Sequence, residues 1–292
     1  MTAPRREHFA DRLCSAIEST VAPACVGLDP VIEKLPKTID ASDGEHRAFE
    51  EFCTGVLNAI EGIVPAVKFQ SACFERCGPS GLLALQRMIG LANALGFITI
   101  LDAKRGDIGV SAEHYAHAAF NVMRADAVTV SGYMGADTIE PFLAPGYADR
   151  GVFVLVRTSN PGSDGVQSLR LEDGRTVAQL MADHVATLGE SNLGECGYSS
   201  VGAVVAATKP GDAEALRDRM PKQIFLVPGF GAQGGTVESV RPLFDENGAG
   251  ALITASRSVI YGFGEEDSDW TAGVRRAAES FVADLCALSA SR

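Results

Sequence analysis

Two lysines and three aspartates stand where charge is expensive. Asp102, Lys104 and Asp107 follow one another as D-x-K-x-x-D in FITILDAKRGDIG, at the end of an apolar run, and Lys68 lies inside another, AVKFQ. A third run, ACVGLD, closes on Asp29. Ionised side chains in apolar strands are costly unless paired. The chain has only six lysines, residues that normally decorate surfaces, so two in strand contexts call for an explanation. Residues two apart on a strand face the same side, which lets the Lys104 ammonium meet the Asp102 carboxylate. A structural ion pair is the plain alternative. With Asp107 just beyond the strand there is more charge than structure needs, and the set suits electrostatic chemistry on a bound substrate.

A second group of residues suits an anion. VPGFGAQGG (227–235) carries Gly229, Gly231 and Gly234 in G-x-G-x-x-G spacing. A dinucleotide fingerprint would open the first β-α unit and be followed about 20 residues later by an acid; this motif does neither. It reads instead as a loop whose backbone N–H groups can close on a phosphate, with the Arg257 fork of Ser256-Arg257-Ser258 beside it. A surface Arg at a helix start is the rival reading for Arg257. His114 and His117 share a helix without an evident third ligand, which disfavours zinc. Cys73 and Cys77 read as small buried apolar residues, and Trp270 as a packing residue.

The elements that must position these groups are eight short runs rich in Val, Ile, Phe and Thr, at 24–29, 66–70, 97–104, 126–132, 151–158, 200–208, 223–229 and 250–256. Continuous apolar runs predict strands covered on both faces, as in parallel sheets. Helix-period segments lie between them at 46–62, 80–95, 111–124, 175–189, 212–219 and 236–247. Eight alternations without repeats or a Pro/Ser-rich linker predict an α/β fold, a single (β/α)8 TIM barrel over residues 1–292, rather than an open doubly wound sheet. Phosphate sites after strands seven and eight recur in such barrels, and chemistry sits at the strands' C-terminal ends. The longest interval, after the fifth strand, holds NPGSDGVQSLRLEDG and reads as an insertion in a ligand-facing loop. Residues 1–20 and the last 20–30 should cap and close the barrel.

Composition sets outer limits. Lys and Arg total 25 against 37 Asp and Glu, giving a net charge of −12 and a pI near 4.9. That balance disfavours nucleic-acid polymers and an acidic membrane surface but leaves room for one small anion held by a few cations. Apolar residues at 46% and charged ones at 21% exclude disorder. Seven cysteines without regular spacing, no signal-like apolar segment and no stretch long enough to span a bilayer lead us to expect a soluble, reduced, cytoplasmic protein.

The motifs resemble the orotidine 5′-phosphate decarboxylases. Asp29 in LD, Lys68 in VKFQ, the DAKRGDIG signature, Thr158-Ser159-Asn160 after strand five, Gln233 in PGxGAQGG and Arg257 in SRS occur in that family's order across residues 25–262. DAKRGDIG, VRTSNPGS and the long fifth loop look like the longer bacterial subgroup. The resemblance implies decarboxylation of orotidine 5′-monophosphate to UMP, the last step of de novo pyrimidine synthesis, with no metal and no organic cofactor. It assigns catalysis to Lys104, Asp102, Asp107 and Lys68. Lys104 stabilises and protonates the C6 carbanion, and Asp102 sits near the leaving carboxylate. It also implies a homodimer in which Asp107 reaches the neighbour's site. Asp29 and Lys68 then bind ribose hydroxyls, Ser159 and Asn160 read the pyrimidine, and Gln233 and Arg257 grip the phosphate. Ser111 stands where the family commonly has Thr and keeps the hydroxyl. Two rivals remain: a metal-dependent sugar-phosphate enzyme of the same superfamily, which would carry an acid where this chain has Lys68, and a non-catalytic nucleotide-binding barrel.

Overall fold

A computed structural model describes residues 7–231, 234–264 and 267–290. Its strands are β1 (Ala24–Leu28), β2 (Ala66–Gln70), β3 (Ile98–Arg105), β4 (Ala127–Val130), β5 (Gly151–Arg157), β6 (Ser199–Val205), β7 (Gln223–Val227) and β8 (Ala251–Ala255). Each pairs in parallel with its neighbours in sequence, and β8 returns to β1, closing the barrel. The helices are α1 (Phe9–Thr20), α2 (Glu45–Ile60), α3 (Ser71–Glu75), α4 (Gly78–Ala94), α5 (Gly109–His117), α6 (Asp164–Gln167), α7 (Val177–Gly189), α8 (Pro210–Arg219), α9 (Val237–Val240), α10 (Arg257–Ile260) and α11 (Trp270–Ala290). No helix among the described residues is long and apolar enough to cross a membrane.

The strands form where the apolar runs predict, and for the predicted reason: every residue of β1, β6, β7 and β8 is buried. Alternate side chains fill two compartments. One set, with Val26, Val67, Val128, Val152 and Ile253, packs outward against the helices. The other, including Ile98, Ile100, Phe153, Ile224 and Leu252, fills the interior together with Phe9, Ala10 and Leu13 of α1. The predicted N-terminal cap is thus a plug in the barrel's lower end. Phe9 meets Phe153 edge-on at 6.0 Å because β5 begins with Gly151, where a Cβ would lie 2.3 Å from the Phe9 ring. Trp270 is a packing residue, stacked on Phe52 at 5.3 Å.

Two predicted helical segments depart from the periodicity. The predicted helix at 236–247 shrinks to α9 plus a 3-10 turn, Arg241–Leu243. Pro242 removes a donor there, and the Asp245 carboxylate then accepts from the Asn247 and Ala249 N–H groups to turn the chain. The segment at 111–124 is divided between α5 and a π turn, Ala118–Val122. Between β4 and β5 the chain makes three 3-10 turns, two of them opening around Pro141 and Pro145, instead of a covering helix.

Candidate active site

Register brings the charges together. Gly27 of β1 stands beside Lys68, and Gln70 of β2 beside Asp102, so the ends of β1, β2 and β3 open onto one mouth. Lys68 Nζ lies 2.8 Å from Asp102 Oδ2 and 3.7 Å from Asp29 Oδ1, and Lys104 Nζ lies 2.6 Å from Asp102 Oδ1. The result is a row of alternating sign: Asp29, Lys68, Asp102, Lys104. Asp102 also accepts from Thr129 Oγ1 at 2.9 Å and Gln70 Nε2 at 3.3 Å, which satisfies a carboxylate only 6% exposed.

Electrostatics keeps the inner pair, Lys68 and Asp102, ionised. Burial alone would raise the Asp102 pKa, but the ammonium of Lys68 and then that of Lys104 hold it well below the usual carboxylate range. Burial would likewise lower the Lys68 pKa; Asp102 and then Asp29 reverse that and raise it above the ordinary lysine value. Lys68 is closed in at 5% exposure. The Lys104 side chain, by contrast, is 46% exposed and forms the open end of the row.

Lys104 reaches that position through an unusual backbone. Its φ is +45°, left-handed territory that costs an ordinary side chain, and the β3–β4 register shifts between Leu101 and Arg105. Its N–H therefore leaves the ladder and donates to Thr129 Oγ1 at 3.0 Å, whose hydroxyl in turn donates to Asp102. The predicted Asp102–Lys104 contact forms, though through a bulge and not through regular strand alternation.

The row lines one wall of a cavity of about 530 Å³, a size suited to a nucleotide-sized ligand. Thr158, Ser159, Asn160 and Gln167 form the β5 side; Pro228, Gly229 and Phe230 come from the β7 loop, and Ser256 and Arg257 from the end of β8. The glycines of the β7 loop are needed conformationally: φ is +98° at Gly229, +68° at Gly231 and +92° at Gly234. The loop nevertheless differs from the expected open cradle. The N–H groups of Gly231, Gly234 and Gly235 bond to carbonyls within the loop, leaving Arg257 as the charged donor at this rim.

Of the residues singled out from sequence, Asp29, Lys68, Asp102, Lys104, Thr158, Ser159, Asn160 and Arg257 share this cavity. Asp107 does not line it; its carboxylate accepts from the Ile108 N–H on the loop beyond β3. Ser111 lies exposed on α5, also off the cavity wall. Gln233 lies outside the described residues. Sequence reading missed Gln70 and Thr129, both bonded to Asp102. Gln70 was within reach, standing two residues after Lys68 on the same strand. Thr129, inside the apolar AVTV, carries no such signal. Cys73 and Cys77 are free thiols, only partly buried, and no cluster of metal-ligating side chains occurs among the described residues.

A closed parallel barrel with an ionic row and Arg257 at its C-terminal mouth has the layout of the α/β-barrel enzymes, whose sites sit at that end. Residues 23–262 match the orotidine 5′-phosphate decarboxylase / HUMPS family. An orotidine 5′-phosphate decarboxylase of Rhodopirellula baltica is 44% identical over 292 residues, covering 92% of this chain and 96% of that protein. One from Herpetosiphon aurantiacus is 37% identical, covering 96% of this chain and 99% of that protein. The solved structure of Leishmania donovani OMP decarboxylase superposes with a TM-score of 0.80 at 32% identity, covering 98% of this chain and 100% of that one. The chain belongs to the orotidine 5′-phosphate decarboxylase family and is an enzyme of the decarboxylase class.

Proposed function

We propose that this enzyme converts orotidine 5′-monophosphate to UMP, the closing step of de novo pyrimidine synthesis, without metal or organic cofactor, in the cytoplasm. The observation that carries the reading is the Asp102 carboxylate held between two ammonium groups, one of them open to a nucleotide-sized cavity. Breaking the C6–carboxylate bond releases CO2 and leaves its electron pair on C6, with no adjacent π system to take it. Lys104 supplies a fixed positive charge at that carbon and then gives it a proton, becoming a neutral amine that solvent reprotonates. Lys68 and Thr129 hold Asp102 in place, and Asp102 orients Lys104 at 2.6 Å. Asp29 and Lys68 face the ribose from the cavity wall, where the Asp29 side chain is 31% exposed. Ser159 and Asn160 meet the pyrimidine. Arg257, with Gln233, takes the phosphate, whose remote binding energy helps assemble the site in the transition state.

The reading includes a homodimer in which Asp107, with Ser111 near it, serves the neighbouring site. Its support is the exposed apolar side chains of Ile108, Val110, Tyr133 and Met134, on two segments beyond β3 and β4 that adjoin where Gly106 approaches Ser131 and Met134. Lys68 disfavours the metal-dependent sugar-phosphate alternative, because an ammonium in place of the acidic ligand repels a divalent ion. The test is turnover of orotidine 5′-monophosphate by purified protein in EDTA, with Lys104→Ala alongside. We expect UMP from the wild type, and no turnover but measurable UMP binding by the variant. A wild type that binds UMP without ever turning over substrate overturns the assignment, as does activity abolished by EDTA and restored by a divalent metal.

A further inference from the structure

Arg157, the last residue of β5, is 3% exposed and does not line the cavity. A guanidinium has five N–H donors, and all five are engaged. Nε donates to Asp212 Oδ2 at 2.6 Å; Nη1 donates to Ser163 Oγ at 2.9 Å and Gln167 Oε1 at 3.3 Å; Nη2 donates to Asp164 Oδ1 and to Ser168 Oγ at 3.2 Å. Four of these acceptors belong to the insertion after β5, and the fifth opens α8.

Those bonds lead back to Thr158, the first residue of the segment facing the cavity. The Thr158 N–H donates to Gln167 Oε1 at 2.9 Å, and Gln167 Nε2 donates to Thr158 Oγ1 at 2.9 Å. Ser163 Oγ donates to the Thr158 carbonyl at 3.1 Å, and the Thr158 hydroxyl donates to Asn160 Oδ1 at 2.7 Å. Charge is balanced as well: Lys209 Nζ lies 2.8 Å from Asp164, so two cations face two carboxylates. A polar, glycine-containing insertion has little apolar surface to order it, and this network supplies the order.

We propose that Arg157 is a positioning residue for base discrimination: by folding the insertion back on Thr158 it fixes the geometry of Thr158–Asn160 against the pyrimidine, without touching substrate. This rests on the reading that the β5 segment faces the base. Lysine cannot substitute, because a single ammonium has three donors and no planar fork.

The experiment compares binding of UMP with that of ribose 5-phosphate, which lacks the base, by calorimetry on wild type, Arg157→Lys and Asp212→Asn. Loss of two hydrogen bonds' worth of order predicts about tenfold weaker UMP binding for Arg157→Lys. Ribose 5-phosphate affinity should stay within about twofold. Asp212→Asn, which keeps an acceptor and removes one charge, should show the same selective pattern at about threefold and preserves the test where Arg157→Lys fails to fold. Equal losses for both ligands, or unchanged UMP binding in both variants, overturns the proposal. A wild type that binds neither ligand overturns the functional reading itself and is seen before any variant is measured.

Discussion

Replacing Lys104 by glycine and, separately, by alanine isolates the backbone at the candidate catalytic lysine. Both variants lose the same ammonium and the same 2.6 Å contact with Asp102, so the ion pair cancels in the comparison. What differs is the Cβ at a φ of +45°. A Cβ in the left-handed region costs roughly 1–2 kcal/mol. Glycine's greater freedom in the unfolded chain takes back roughly 0.5–1 kcal/mol. Lys104→Gly should therefore be the more stable of the pair by about 1 kcal/mol, or about 2 °C in melting temperature for a chain of this size. In a regular strand the order reverses, with alanine ahead by about 0.5–1 kcal/mol. Urea denaturation followed by circular dichroism separates the two cases. Alanine equal to or above glycine refutes the inference that β3 stores strain to aim this side chain.

Other perturbations probe the ionic row and its supports. Asp102→Asn leaves a buried ammonium with Asp29 alone, at 3.7 Å, and should cost about 3 kcal/mol at neutral pH in the same denaturation assay, the low end for a broken buried pair. Asp29→Asn, which removes only the longer contact, should cost less. Because the folded Asp102 pKa is depressed, its contribution is fully present above the unfolded value of about 4 and fades as pH falls through the folded value. Lys68, with its pKa raised, contributes below about pH 10 and loses that contribution as pH rises through its folded value. The stability gap between wild type and Asp102→Asn should thus be flat from about pH 5 to 9 and narrow in acid; a gap that narrows between pH 6 and 8 contradicts the assignment. Gly151→Ala drives a methyl into the Phe9 ring and should cost about 2 kcal/mol, read as a lowered urea midpoint. In the proposed homodimer, Val110→Asp should separate the subunits in sedimentation and lower turnover with them; a fully active monomer removes the case for a shared site.

The barrel was legible because its signal is collective. Eight apolar runs in alternation with helical periods survive an error of a residue or two at any boundary, and each run became a strand. Asp29, Lys68, Asp102 and Lys104 were legible for a related reason, since charge inside an apolar strand is rare enough to stand out. Arg157 and Arg217 were not. Arg157 ends an apolar strand but is followed at once by polar loop, so it resembles an exposed terminus, and its five acceptors come from residues 163 to 212. Arg217 looks like a surface residue of a polar helix. Instead its guanidinium donates to the carbonyls of Met220, Gln223, Leu243 and Gly250 and lies 3.6 Å from the centre of the Phe225 ring. Burial pushes its pKa down to about 10, against the opposing pull of the Asp245 carboxylate. Both cases depend on acceptors gathered from distant segments, and local pattern does not encode that.

The α1 plug fixes the direction of traffic. With Phe9 and Leu13 filling the interior from below, the described part of the barrel opens at its C-terminal mouth, and what enters there leaves the same way. For a decarboxylase this imposes a queue: the carbon dioxide released and the product left behind must both clear the same doorway before another substrate is admitted. Product and substrate then compete for a single berth, so product that has not cleared it holds back the next turnover.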